Sequence, residues 1–589
     1  MFEKLTKWEQ HLFSAMSVVL VLFYTISAVW IPAATQYHRG VYVFITYILV
    51  LLLYKSTNRY LRVLDYILML LSGSAVIYWI LNFEAINYRA GAETDLDKTV
   101  AVVGVLIGVE IARRAVGTVF VIIGAVMLIY GVYGLHFPEM IAHFGDSFPG
   151  LCTTIFFKED GVFGIMANVL ATYVLLFVLF GAYLERSGAQ KFFIDFPIAA
   201  VGHRTGGPAK VAVIASGLFG SISGSAIANT VSTGAFTIPL MKKVGFRPHI
   251  AGAIEPAASI GGMFMPPIMG AGGFIMAELT GLPYSQIMLV ALFPAIMYFF
   301  SVYVMVHFEA KAHNIRGEKS PIGALQILKK EWYYIAPLVI ITVLMLMDYS
   351  AGFAAVMGIV SAIAVSYINK DTRMTPARFV EAARQGTESS LKIGATVGII
   401  GIIIAVLTFS GLILTFADIV IELADGNLIL TILFIALASL ILGMGVPVTA
   451  AYLITAVVAV PALTHLGVNE LAAHMIVYWL SQDSNISPPV CIAAFAGATI
   501  ANANMWRTAF SAFKFGKFLY LAPFLFGYVP GFTLQGDGWD IAKVFLLVTA
   551  GTWLYAYFFS FHWIRTLRTW YGRKPAVNGD EPVSDPSDA

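Results

Sequence analysis

Apolar runs of roughly 20 residues recur along this chain, for example at 12–31, 64–82 and 285–308. That is the length an α-helix needs to cross the hydrocarbon of a bilayer. Charged residues make up only 12% of the 589, far below the roughly 25% of a soluble domain, so no large soluble domain is left over. The expected fold is an all-α polytopic membrane protein in the lipid bilayer.

The charges that remain sit in clusters between apolar runs, as the positive-inside rule requires of cytoplasmic loops. Net charge is +2, and nothing points to a nucleic-acid partner. Two cysteines, Cys152 and Cys491, are too few for a disulfide framework or a Cys-rich metal site. Lys4 and Lys7 precede the first run without a short apolar core and cleavage site, which reads as a retained first helix with a cytoplasmic N-terminus.

Residues 1–140 read as a small helical scaffold module, with apolar runs at 12–31, 41–54, 64–82, 99–112 and 116–135. Glu110, beside Arg113 and Arg114, reads as an interfacial ion pair. Residues 141–160 are more polar and read as a linker, and 566–589 as a polar tail. Between them, 161–565 form the larger section, whose runs are interrupted by Gly, Ser, Asn and Pro. In hydrocarbon such interruptions are tolerated only where the freed backbone faces protein or a water-filled cavity.

Shifting the sequence by 222 positions explains the interruptions. It pairs Pro239 with Pro461, Gly245 with Gly467, Ala251 with Ala473, Ser259 with Ser481, and Pro266-Pro267 with Pro488-Pro489 without a gap. Repeat one covers about 161–306 and repeat two about 391–531. Each reads as a hairpin with a polar, Gly-rich tip followed by a helix broken at Pro-Pro. The apolar arms beside each tip, such as 211–219, look too short to cross about 30 Å of hydrocarbon, so the hairpins are expected to be re-entrant.

Paired interrupted helices in two halves point to a transporter site near the membrane midplane, where broken-helix N-termini favour anions and unwound carbonyls and hydroxyls coordinate cations. The candidate tip residues are Ser221, Ser223, Gly224, Ser225 and Asn229 in repeat one, and Gly443, Gly445 and Thr449 in repeat two. On the broken helices they are Ser259, Gly261, Pro266 and Pro267, then Ser481, Asn485, Ser487, Pro488 and Pro489. Three carboxylates in or beside the repeats, Glu255, Asp483 and Glu278, are expected to couple an ion, because an ionisable group inside a membrane is costly unless it works. One expectation is Na+ near Ser223, Gly443 and Asp483; the other is a proton. His465 and His474 read as ordinary interfacial or loop residues. No P-loop, H-E-x-x-H or nucleophile elbow occurs, and no cofactor is called for. Neither an enzyme nor a channel is favoured.

The stretch from Gly202 to Lys210, the tip Phe219-Gly-Ser-Ile-Ser-Gly-Ser-Ala226, and the motifs Thr237-Ile-Pro-Leu-Met241 and Met265-Pro-Pro-Ile-Met-Gly-Ala271 resemble the large membrane subunit of a TRAP transporter, TAXI branch. Gly443-Met-Gly-Val-Pro-Val-Thr-Ala450 and Ser481-Gln-Asp-Ser-Asn-Ile-Ser-Pro-Pro489 agree with it. Residues 1 to about 140 resemble the small subunit, fused to the large one. The resemblance implies an inverted-repeat, elevator-type symporter in the bacterial or archaeal inner membrane. It would take up a small organic anion (dicarboxylate, oxo-acid or acidic amino acid) from an extracytoplasmic TAXI-type binding protein, or work without one. Pro447 stands where many large subunits carry an acid, which leaves Na+ and H+ both open as the coupling ion.

Overall fold

The structure, a computed structural model, describes residues 2–560 apart from Thr57 and Gly445. The expected tail at 566–589 and the tip residue Gly445 therefore lie outside the described residues. Those described are predominantly helical and contain no strand, and ten helices are long and apolar enough to cross a membrane.

The N-terminal apolar runs become five helices, Lys7–Val29, Thr35–Leu53, Arg59–Tyr88, Asp95–Ala115 and Thr118–Tyr133. Polar residues set their ends. Thr94 caps the fourth helix, its hydroxyl accepting from the Asp97 N–H while Asp97 reaches back to the Thr94 N–H. Glu110 pairs with Arg113 at 2.7 Å and Arg114 at 2.6 Å, and Arg114 extends the network to Asp65 at 2.6 Å, the ion pair its sequence position suggested. The segment 141–160 is not a plain linker. It holds a helix, Phe148–Phe157, whose apolar sequence packs against Asp95–Ala115 with Phe156 fully buried. Three turns of apolar side chains are too short to span but still need covering.

The larger section follows the 222-residue register closely. Arm helices Ala189–Val201 and Leu412–Leu423 end at equivalent positions. The second hairpin helices, Ala226–Lys243 and Val448–His465, begin and end together in that register, and the broken helices restart together at Gly270 and Ile492. Met269 and Cys491, the residues just before those restarts, both take left-handed backbone (φ 53 and 42). The Pro266-Pro267 and Pro488-Pro489 bonds are both cis.

The hairpin arms are longer than their apolar cores: Gly207–Ser223 and Ala226–Lys243 in repeat one, Leu428–Leu442 and Val448–His465 in repeat two. Polar and small residues extend the helix because internal hydrogen bonding, not side-chain hydropathy, carries it onward. At 15 to 18 residues they reach roughly 22–27 Å.

Base contacts separate the hairpins. Lys242 donates to the Ala501 carbonyl at 2.7 Å and Lys243 faces Glu318 at 3.6 Å, placing the base of the first hairpin at an end rich in Lys and Arg. The arm helix leading into the second hairpin meets Glu139–Ile141, beyond the far end of Thr118–Tyr133.

Candidate functional site

The first tip is a turn of two residues. Gly224 is left-handed (φ 61) and Ser225 is extended, its hydroxyl accepting from the Ala228 N–H at 3.3 Å to cap the returning helix. Just below it the hairpin touches the first break so closely that a Cβ on Gly262 would lie 2.4 Å from the Gly220 Cα; only two glycines fit there. Ser223, Gly224 and Ser225 line a cavity of about 480 Å³, closed on its far side by helices Leu175–Arg186 and Pro376–Gly394. Ser221 does not join them. It donates to the Leu218 carbonyl at 2.8 Å within its own helix.

Between the arms and helix Pro248–Gly261 lies Glu255, fully buried. Its carboxylate accepts from Ser216, Thr233 and Thr237 hydroxyls, all on the hairpin, and no basic residue is among its partners. Asn229 donates to the Ser216 carbonyl at 3.0 Å, while its Oδ1 and the Ser259 hydroxyl are buried without a partner. Gly261 lies against the Tyr298 and Phe299 rings and serves packing. The carbonyls freed around Pro266 and Pro267 are occupied: Tyr284 donates to Pro267 and Ile268 at 2.9 and 2.7 Å, and Tyr478 to Met263 and Met269 at 2.7 and 2.5 Å.

The second break is polar where the first is apolar. Asp483 is 1% exposed with Oδ1 unpartnered, and both side-chain polar atoms of Gln482 are likewise buried and unpartnered. Gly443 sits over this break, a Cβ there falling 2.7 Å from Ser484 Oγ, and one helical turn before it Ser439 Oγ is a fourth orphan. Ser481 donates to the Tyr478 carbonyl at 2.7 Å and Asn485 to the Gln482 carbonyl at 3.2 Å. Asp483, Ser487 and Pro488 line a second cavity of about 410 Å³, in which the Ser487 and Tyr520 hydroxyls are hydrogen-bonded. Thr449 is buried at the start of its helix, and Pro489 lies within the break beside Pro488.

The first tip and the second break thus line separate cavities, and the two halves are joined through the protein by Tyr478 and by the stacking of Phe264 on Trp479 at 4.0 Å. Glu278 stands apart, exposed at the outer end of Gly270–Thr280, where Asn168 donates to it at 2.9 Å. His474 corrects its sequence reading. It is 4% exposed and hydrogen-bonded to Tyr452 at 3.0 Å, because the apolar face of Glu470–Leu480 turns it inward; His465 is exposed, as expected. Sequence reasoning missed the cradle of Ser216, Thr233 and Thr237, although Asn229, Thr233 and Thr237 recur every four residues and so share one helix face. Gln482 and Ser439 carried no such signal.

A bundle of membrane-length helices, built on an internal repeat and broken in each copy at a Pro-Pro pair, fits the transporter class of polytopic membrane protein. Residues 103–532 match the family described as "Tripartite ATP-independent periplasmic transporter, DctM component", and the chain belongs to that family of TRAP transporter large permeases. The C4-dicarboxylate TRAP transporter large permease protein DctM of Pseudomonas aeruginosa is 23% identical over 409 residues, covering 66% of this chain and 93% of that one. The 2,3-diketo-L-gulonate TRAP transporter large permease protein YiaN of Escherichia coli is 26% identical over 168 residues, 28% of this chain and 39% of that one. The solved YdaH transporter of Alcanivorax borkumensis aligns over 71% of this chain and 98% of that one, with 16% identity and a TM-score of 0.48.

Proposed function

We propose that this chain is the membrane part of a cation-coupled importer of a small organic anion, which receives its substrate from an extracytoplasmic binding protein of the TAXI type. The observation that carries the reading is the first cavity, where two helices, Ala226–Lys243 and Gly270–Thr280, present their N-terminal residues beside the Ser223 and Ser225 hydroxyls. Helix N-termini and hydroxyls hold a carboxylate without an arginine in the tip. Two relatives are named for carboxylic acids, a C4-dicarboxylate and 2,3-diketo-L-gulonate. In this reading the hairpins are re-entrant and invert between repeats, the helices ahead of the matched residues 103–532 serve as a fused small subunit, and the hairpins and broken helices move together as the elevator. The basic residues at the base of the first hairpin favour a cytoplasmic position for that end, in a bacterial or archaeal inner membrane.

For the coupling ion, the buried unpartnered oxygens of Asp483 and Gln482 below Gly443 favour Na+, a hard cation that seeks oxygen ligands. Glu255, surrounded by hydroxyls alone, favours a proton as a second reading, since a hydroxyl can either donate to a carboxylate or accept from the acid. Uptake by proteoliposomes, with the cognate binding protein and imposed Na+ or pH gradients, tests both. Ser223→Ala and Asn485→Ala are expected to cut uptake by about tenfold or more; wild-type rates in both sink the site assignment. Equilibration of substrate without counterflow exchange would mark a channel instead.

A further inference from the structure

The far wall of the first cavity carries a charge that neither hairpin supplies. Lys392, on helix Pro376–Gly394, lines the cavity opposite the first tip and is the only basic residue to do so among those described. Two acids share its wall, and both are engaged: Glu185 accepts from Gln385 at 3.0 Å, and Glu388 faces Arg384 at 3.6 Å. Lys392 itself is exposed and has no hydrogen bond or ion pair with any described residue, although Glu388 lies one turn before it. A lysine whose neighbouring acids are engaged with other partners attracts an anion more strongly in a walled cavity than in open water, because low-dielectric walls concentrate its field.

We propose that Lys392 receives the second charge of a dianionic substrate, one carboxylate being held at the first tip and the other turned to the opposite wall. The tip offers only neutral donors and helix ends, which suffice for one carboxylate; the second needs a partner, and Lys392 is the cation within the cavity. Since Pro376–Gly394 belongs to neither a hairpin nor a broken helix, the contact exists only while the tip faces this wall. The inference rests on the organic-anion reading and narrows it to substrates with two negative groups.

The test is equilibrium binding to the purified chain in nanodiscs, comparing unbranched C4 to C6 dicarboxylates with their half-amides, which keep the length and lose one charge. Wild type should prefer the dicarboxylate by about tenfold, as befits one charge-assisted contact. Lys392→Gln should erase that preference while leaving half-amide affinity within about twofold, and Lys392→Arg should restore most of it. Unchanged half-amide binding in Lys392→Gln also shows that the variant is folded. A wild type without the preference, or a Lys392→Gln protein that keeps it, overturns the role of Lys392 and leaves the carrier reading standing. If no organic acid binds at all, both fall.

Discussion

The two repeats share a backbone plan and divide the polar chemistry between them. Repeat one places Ser216, Asn229, Thr233, Thr237 and Glu255 in the seam between hairpin and half-helix; the positions equivalent by the 222-residue shift are Ala438, Ala451, Thr455, Ala459 and Val477. Its break, Ile260-Gly-Gly-Met-Phe-Met265, is apolar and has its carbonyls covered by tyrosines. Repeat two reverses this, with a seam that is apolar apart from the buried, unpartnered Thr455 hydroxyl, and the polar break Gln482-Asp-Ser-Asn-Ile-Ser487, several of whose buried atoms lack partners. A buried polar group without a partner costs about 1–3 kcal/mol, so a break holding several of them is poised for a ligand, whereas a seam whose carboxylate is held by three hydroxyls is poised for rigidity, even with the Asn229 Oδ1 left unpartnered. The geometry is common to both copies, while their residues leave more unpartnered polar atoms at the break of the second.

The contrast can be broken most severely where the first hairpin meets its break. Gly262→Val places side-chain carbons into the Gly220 backbone, and the expected outcome is loss of monodisperse, folded protein on size exclusion. Glu255→Ala comes next: it leaves three buried hydroxyls without their acceptor and opens a cavity, for an expected loss of about 3 kcal/mol read as a lowered Tm in detergent. Val477→Ala, the same position in repeat two, removes only packing and should cost less than half as much. Asp483→Asn is expected to leave Tm within a few degrees yet abolish the Na+ dependence of uptake; a steep dependence retained in this variant would move the cation elsewhere. The smallest pair is the most diagnostic. Ser481 donates to the Tyr478 carbonyl while the equivalent Ser259 hydroxyl has no partner, so Ser481→Ala should cost about 1 kcal/mol and Ser259→Ala should be neutral or slightly stabilising.

The membrane class and the repeat were legible because hydropathy over 20 residues and two Pro-Pro pairs survive any rearrangement of side chains. The register held to the residue at the restarts of the broken helices, Gly270 and Ile492. What stayed hidden depends on where a helix face points. Ser221 and Ser223 look alike in sequence, yet one turns to Leu218 and the other to the cavity. Glu278 looked like a partner of Glu255 and Asp483 but stands at the outer end of its helix, and His474 looked peripheral but is enclosed. The helix Phe148–Phe157 was missed because its apolar run is shorter than any span. Lys392 had no signal at all: a basic residue at the end of a charged helix is ordinary until a cavity is found in front of it.

The Tyr478 hydroxyl has one proton and faces two carbonyls of the other repeat, Met263 and Met269, across the span where the first helix is broken. It acts as a bolt shared by two copies of one ancestral unit. A half-molecule ending before residue 470 would keep its own Tyr284 for Pro267 and Ile268 but would have nothing to close over the remaining pair. The two halves are thus a single interlocked piece, in which one side chain of the second half-helix holds the loop of the first.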